Sequence, residues 1–278
     1  MAELRLLAWP AGHSLSPVMH AAALKELGLG HSYRALAVPP EGLAAAVSDL
    51  RSPDVLGANV TVPHKERVLP LLDSVSDAAR AIGAVNTITN TAGRLHGDNT
   101  DVQGFLALLE HAGVALGADR RLSAVILGAG GAARAAVFGL APYARLTVIN
   151  RTVSRAQVLA ADFPAVETVA AAATTALLAN ADVLVNTTSV GMERDGSDPD
   201  ESPLPAGVLP ERATVVDMVY RPERTRLLRD AAAAGLPVAG GLEMLVRQGA
   251  ESLRLWTGRK DVPVEAMRSA ALAALSGS

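Results

Sequence analysis

The chain of 278 residues contains no cysteine, which excludes disulfides, thiol nucleophiles and zinc–thiolate sites. Aromatic residues make up 3% of it, so alanine, valine and leucine must fill its core. Lysine is scarce: of 25 basic residues only Lys25, Lys65 and Lys260 are not arginine. No apolar run approaches the roughly 18 residues that a membrane-crossing helix needs. There is no basic excess either. The net charge is -3 and the pI about 6.1, which gives no field to attract nucleic acid or an acidic membrane. The opening, MAELRLLAWP, has no basic segment followed by a long apolar run, so no signal peptide is expected. These absences point to a cytoplasmic protein handling a small molecule. Half of the residues are hydrophobic, enough for one large core or two modest ones.

Short apolar runs alternate with helix-like stretches along the whole chain. LRLLAW, SYRALAV and VLGANVTV read as strands; SPVMHAAALKELGL and PEGLAAAVSDLR read as helices. KERVLPLLDSVSDAARAIG reads as helical pieces broken by Pro70, and residues 84–100 as a hairpin turning at Ala92-Gly93. A second series follows DVQGFLALLEHAG and the linker at 117–122. It comprises the strands SAVILG, RLTVINRT, ADVLVNTTS and ATVVDMVY with helices between them, then LPVAGG and two closing helices. The acidic, Pro/Gly-rich segment 192–207 reads as a surface loop. This alternation predicts α/β architecture in two lobes with a cleft between them. An open, mostly parallel sheet domain would span 1–102 plus 242–278, the C-terminal helices returning to the first lobe. A Rossmann-type domain would span 103–241.

VILGAGGAAR sets Gly128, Gly130 and Gly131 between a strand and an alanine-rich helix. Gly128 would allow a tight turn, Gly130 would let a pyrophosphate approach, and Ala133 would let helix and strand pack closely. The helix N-terminus would offer its amides to the phosphates. A plain packing turn is the alternative. An NAD site places Asp or Glu about 20 residues further on. Here the next strand ends in Asn150, Arg151 and Thr152, with Arg155 close behind. Two guanidiniums and no carboxylate favour the 2′-phosphate of NADP, although Thr152 also suits a helix cap.

The first lobe carries a different polar set. Ser14 and Ser16 sit at a strand-to-helix junction, where Ser16 reads as the helix cap. Asn59 and Thr61 end the third strand, at the edge where open α/β sheets bind ligands. Pro63 suits a helix start, which would put Lys65 in a first turn whose positive end disfavours a cation. His64, which on a helix would point about 100° away from Lys65, reads as structural. Of seven asparagines, Asn59, Asn86, Asn99, Asn150 and Asn186 fall in the segments at strand ends, more as a polar site than as scattered turns.

The ordered set GHSLSP, GANVTVPHKE, GAVNT, GDNTD, GAGGAAR, NRTVSR, NTTSVGM, DMVY and GLEMLVRQGA resembles the shikimate dehydrogenase family across almost the whole chain. LAWP departs from the family's usual glycine–asparagine–proline. The resemblance implies reversible NADPH-dependent reduction of 3-dehydroshikimate to shikimate, in aromatic amino-acid biosynthesis; the residues themselves leave monomer and homodimer both open. It implies that Ser14, Ser16, Thr61, Asn86, Asp101, Tyr220 and Gln248 bind substrate, with Lys65 the acid/base paired to Asp101. Gly128, Ala129, Gly130, Gly131 and Ala132 would hold the pyrophosphate. Asn150, Arg151, Thr152 and Arg155 would hold the 2′-phosphate ribose. Thr188, Ser189, Met218 and Gly241 would line the nicotinamide half, and Asp77 is a further cofactor-side candidate.

The chemistry of the residues agrees. No metal-binding motif is present, so a side chain must move the proton. Arginine stays protonated, whereas lysine can release its proton. A broader quinate/shikimate dehydrogenase, often NAD-using, and a non-catalytic NADP sensor are the rival readings.

Overall fold

Two six-stranded sheets take up the alternating runs, and each sheet has its own set of helices. The computed structural model describes residues 2–12, 14–117, 120–193 and 196–276. His13, and parts of the linker at 117–122 and of the loop at 192–207, lie outside these residues. The chain divides into two units. Residues up to 104 and from 245 onward form the first, and residues 105–244 form the second.

In chain order the first unit begins β1 (Glu3–Ala8), α1 (Ser16–Glu26), β2 (Ser32–Ala37), α2 (Leu43–Asp49) and β3 (Val55–Val60). It continues through β4 (Ser74–Val75), α3 (Asp77–Ile82), β5 (Thr87–Thr91), β6 (Arg94–Asp98) and the start of α4 (Asp101–His111). Its strand order is β2-β1-β3-β5-β6-β4. β5 runs antiparallel to both β3 and β6, so the sheet is mixed. The expected hairpin is there. Ala92 and Gly93 have φ of 51° and 83°, the pair of left-handed residues that a tight turn between right-twisted strands demands. Leu7, Val55, Val60, Ile88 and Leu95 fill the core with Leu43, Val47 and Leu50 of the α2 segment.

One expectation fails here. Residues 65–68 form turns, and a single 3-10 turn follows at Leu69–Leu71. No helix starts at Pro63. His64 explains the difference: it is fully buried and its Nε2 lies 2.7 Å from the Val38 carbonyl. That bond ties the segment to the end of β2. The helix-end argument about Lys65 therefore has no helix to rest on.

The second unit contains β7 (Leu122–Leu127), α5 (Gly131–Leu140), β8 (Ala144–Ile149), α6 (Val153–Asp162) and β9 (Val166–Ala170). Then come α7 (Thr175–Leu178), β10 (Val183–Asn186), β11 (Thr214–Asp217), α8 (Arg226–Ala233) and β12 (Val238–Gly240). Its sheet is wholly parallel, in the order β12-β11-β10-β7-β8-β9. The order reverses between β7 and β10, which makes a doubly wound sheet whose ligand edge lies at the carboxyl ends of those strands. Helices cover both faces, so β10 is buried at every position and β7 at all but one. Alanine does much of the packing: Ala133, Ala135 and Ala136 are buried on α5.

Two last helices, α9 (Leu242–Thr257) and α10 (Val264–Ser276), close the chain. From residue 245 they belong to the first unit, where α10 packs against α1.

Candidate active site

Within the first unit the carboxyl end of the sheet gathers a dense polar network. Lys65 Nζ lies 2.6 Å from Asp101 Oδ2, with side-chain exposures of 15% and 4%. Asp101 opens α4, where the helix's positive end favours an anion. The second carboxylate oxygen accepts from Asn86 Nδ2 at 2.8 Å. The Thr100 amide donates to Asn86 Oδ1, also at 2.8 Å, which fixes which way the Asn86 amide faces. Gln248 Oε1, on α9, lies 3.3 Å from the same nitrogen. The Val85 amide donates to the Lys65 carbonyl, so the turn bearing Lys65 is pinned beside Asn86.

Behind this row lies a second one, centred on Asn59, whose other members the sequence did not reveal. Asn59 Nδ2 donates to Ser252 Oγ at 2.9 Å, and Ser252 is 2.8 Å from Thr87 Oγ1. Tyr33 donates its phenol hydrogen to Asn59 Oδ1 at 2.8 Å. Burial pushes the Tyr33 phenol upward, only partly offset by Ser16. His20 stacks on Tyr33 with ring centroids 4.2 Å apart. Burial depresses His20 to about 3, against a smaller opposing effect of Asn59, so it stays neutral. The one available signal for Ser252 is its spacing. It stands four residues after Gln248, on the same helix face.

The serines of GHSLSP exchange roles. Ser14 Oγ accepts from the Ser16 amide at 3.2 Å, and Ser16 is itself buried as the first residue of α1, with no side-chain cap. Thr61 is half-buried at the end of β3. Asn99 is a backbone brace: it accepts from the Asp101 amide and donates to the Ala84 carbonyl. Asp77 is exposed in the first turn of α3, behind the capping Ser76.

The second unit carries the other group. Gly128 has φ of 111°, and a Cβ there would stand 2.5 Å from Thr187 Oγ1, so β7 and β10 meet closely only around glycine. Beyond Gly130 the space is open, and no side chain caps α5. The first-turn amides of that helix therefore point at room for an anion. Gly131 and Ala132 start the helix, and Ala133 is buried against the sheet. After β8, Asn150 donates to the Thr152 carbonyl, while Arg151 and Arg155 are exposed. Neither arginine has an ion-pair partner among the described residues. Thr152 is the N-cap residue of α6, but its side chain makes no capping bond.

Thr188 donates to Asn186 Oδ1 at 2.7 Å, with Ser189 exposed beside it. Gly241 is pressed on Met218, whose carbonyl oxygen would be 2.2 Å from any Cβ. Tyr220, expected among the substrate groups, is half-buried in this second unit. These residues suit NADP: an open glycine cradle on a helix start, two unpaired guanidiniums, and no acidic side chain ending β8. Among the described residues no cluster could hold a metal ion, and no helix is long and apolar enough to cross a membrane.

Comparison with known proteins agrees with this geometry. Residues 6–88 match the shikimate dehydrogenase substrate-binding domain, 112–193 match shikimate/quinate 5-dehydrogenase, and 241–272 match the shikimate 5′-dehydrogenase C-terminal domain. The chain is 48% identical to a shikimate dehydrogenase (NADP+) of Symbiobacterium thermophilum, over 99% of this chain and 95% of that one. A crystal structure of shikimate 5-dehydrogenase from Thermus thermophilus, in complex with NADP(H) and shikimate, superposes with a TM-score of 0.88. It is 45% identical and covers 99% of this chain and 100% of its own. A shikimate dehydrogenase in complex with NADP+ gives a TM-score of 0.89 at 34% identity, covering 99% of this chain and 96% of its own.

Proposed function

The chain belongs to the shikimate dehydrogenase family, and we propose that it reversibly reduces 3-dehydroshikimate to shikimate with NADPH, a step of aromatic amino-acid biosynthesis. The observation that carries this reading is the largely buried Lys65–Asp101 pair at 2.6 Å, with Asp101 bound on its other side by Asn86.

Bound NADPH supplies the hydride. The residues of the first unit do the rest. As the carbonyl carbon receives the hydride, the π electrons move to oxygen, and the Lys65 ammonium gives that oxygen its proton. Asp101 holds the ammonium in place and balances its charge, with one oxygen on Lys65 and the other on Asn86. In the reverse direction neutral Lys65 takes the hydroxyl proton. Ser14, Ser16, Thr61, Asn86 and Gln248 supply donors and acceptors for the hydroxyls and carboxylate of the substrate. Arg151 and Arg155 take the 2′-phosphate.

Initial rates with shikimate and quinate, each with NADP and NAD, test the reading. Shikimate with NADP should give the highest kcat/KM. Quinate with NAD at equal or higher efficiency would overturn it.

A further inference from the structure

Asp217 and Asn186 end the adjacent strands β11 and β10, both fully buried, outside any role assigned above. Asp217 Oδ1 accepts from Asn186 Nδ2 and from the Val219 amide, each at 2.9 Å. Asp217 Oδ2 accepts from Thr225 Oγ1 at 2.7 Å, and Thr225 in turn caps α8. An ionised carboxylate only accepts hydrogen bonds, so Asn186 must present its NH2 to it. That leaves Asn186 Oδ1 facing the other way, where it takes both the amide and the hydroxyl of Thr188, at 3.0 and 2.7 Å. The Thr188 hydroxyl then accepts from the Val190 amide. One buried acceptor group thereby sets the conformation of two loops, 187–190 and 218–220, at the ligand edge of the sheet.

We propose that Asp217 and Asn186 are positioning residues that lock these two loops in the form that receives the nicotinamide half of NADP. The proposal rests on the cofactor reading given above. Burial pushes the Asp217 carboxyl up to about 6, against the donors from Thr225, Val219 and Asn186. Keeping a charge in such a place is costly for a purely structural tie. Gly241 adds to the same edge, since its lack of a side chain lets it pack on Met218, next to Asp217.

The test uses the whole protein and two ligands: NADPH, and 2′,5′-ADP, which lacks the nicotinamide half. Dissociation constants are read by fluorescence for the first and calorimetry for the second. Asp217→Ala removes the acceptor of both loop donors. Asn186→Ala leaves the carboxylate its Val219 and Thr225 donors, so it stays informative if the first variant folds poorly. Each should weaken NADPH tenfold or more and change 2′,5′-ADP less than twofold. Asp217→Asn, which keeps an acceptor for Asn186 and Val219, should restore most of the NADPH affinity. Equal weakening of both ligands, or no weakening of either, would overturn the lock. An Arg151→Ala variant separates the two readings. If it weakens NADPH and NADH alike, the phosphate assignment fails, while a selective loss in Asn186→Ala still supports the lock.

Discussion

Lys65 combines two jobs that its neighbours allow to be separated. Its charge is balanced by Asp101, and in the mechanism proposed above its proton is the one the carbonyl oxygen would take. Lys65→Arg keeps the charge but provides no proton at neutral pH. We expect it to lose turnover as severely as Lys65→Ala, by a factor of about 10² to 10⁴, with NADPH affinity within twofold of wild type in both. Near-normal kcat in Lys65→Arg would assign Lys65 to charge stabilisation alone. Asp217 offers a second measurement. Its carboxyl titrates at about 6 in the fold against an ordinary 3.8, mainly because it is buried. On acidification the folded protein therefore takes up this proton before the unfolded chain does. The resulting stability is fully present below the ordinary value and lost as the pH rises through about 6, and amounts to something on the order of 3 kcal/mol. Asp217→Asn does not titrate, so wild-type Tm minus variant Tm should increase from about pH 7.5 to 4.5. His20 works the other way, its folded value lying near 3. It is present in both proteins and drops out of the difference. A constant difference would mean that Asp217 is not the titrating group.

At the scale of elements, the β5–β6 turn carries the clearest mismatch between residue and backbone. Ala92 is the only non-glycine with positive φ among the described residues. A left-handed alanine is strained, and asparagine tolerates the conformation better. Ala92→Asn should relieve part of that strain, which is roughly 1–2 kcal/mol for a left-handed residue with a Cβ, and so raise the midpoint in urea with unchanged slope. That turn, like most strands and helices here, was legible in the sequence because apolar period and turn residues coincide. The misses have specific causes. β9 is an edge strand whose VETVA alternates weakly and is largely unburied, so no apolar run marks it. α7 is four residues long, too short for any period to show. The turns at 65–68 depend on His64 reaching Val38, a contact between distant segments that local pattern cannot encode. In the site, Lys65, Asn86, Asp101 and Gln248 could be named because they sit in recognisable segments. Ser252, Thr87 and Tyr33 looked like ordinary residues of an amphipathic helix and two strands. Only their convergence on Asn59 gives them a role.

For the molecule as a whole, residues 105–244 form one unbroken segment, whereas the first unit needs both ends of the chain. The later part is integral to it. Trp256 Nε1 donates to the Ile88 carbonyl at 2.9 Å, and Ser252 is central to the buried network. A chain ending at residue 244 should therefore still bind 2′,5′-ADP but no longer bind shikimate, with hydrogen exchange fast in β1–β6 and slow in β7–β12. Protection of both sheets in that shortened chain would contradict the assignment. The same arrangement gives the protein a timetable during its synthesis. The ribosome releases β1 early, yet the polar lattice around Asn59 stays open until Ser252 has left the exit tunnel. By then the whole second sheet has already emerged. A nascent chain should thus become competent for the nucleotide before it can hold the carbonyl compound, and a stall within α9 would leave Lys65 on an unfinished scaffold.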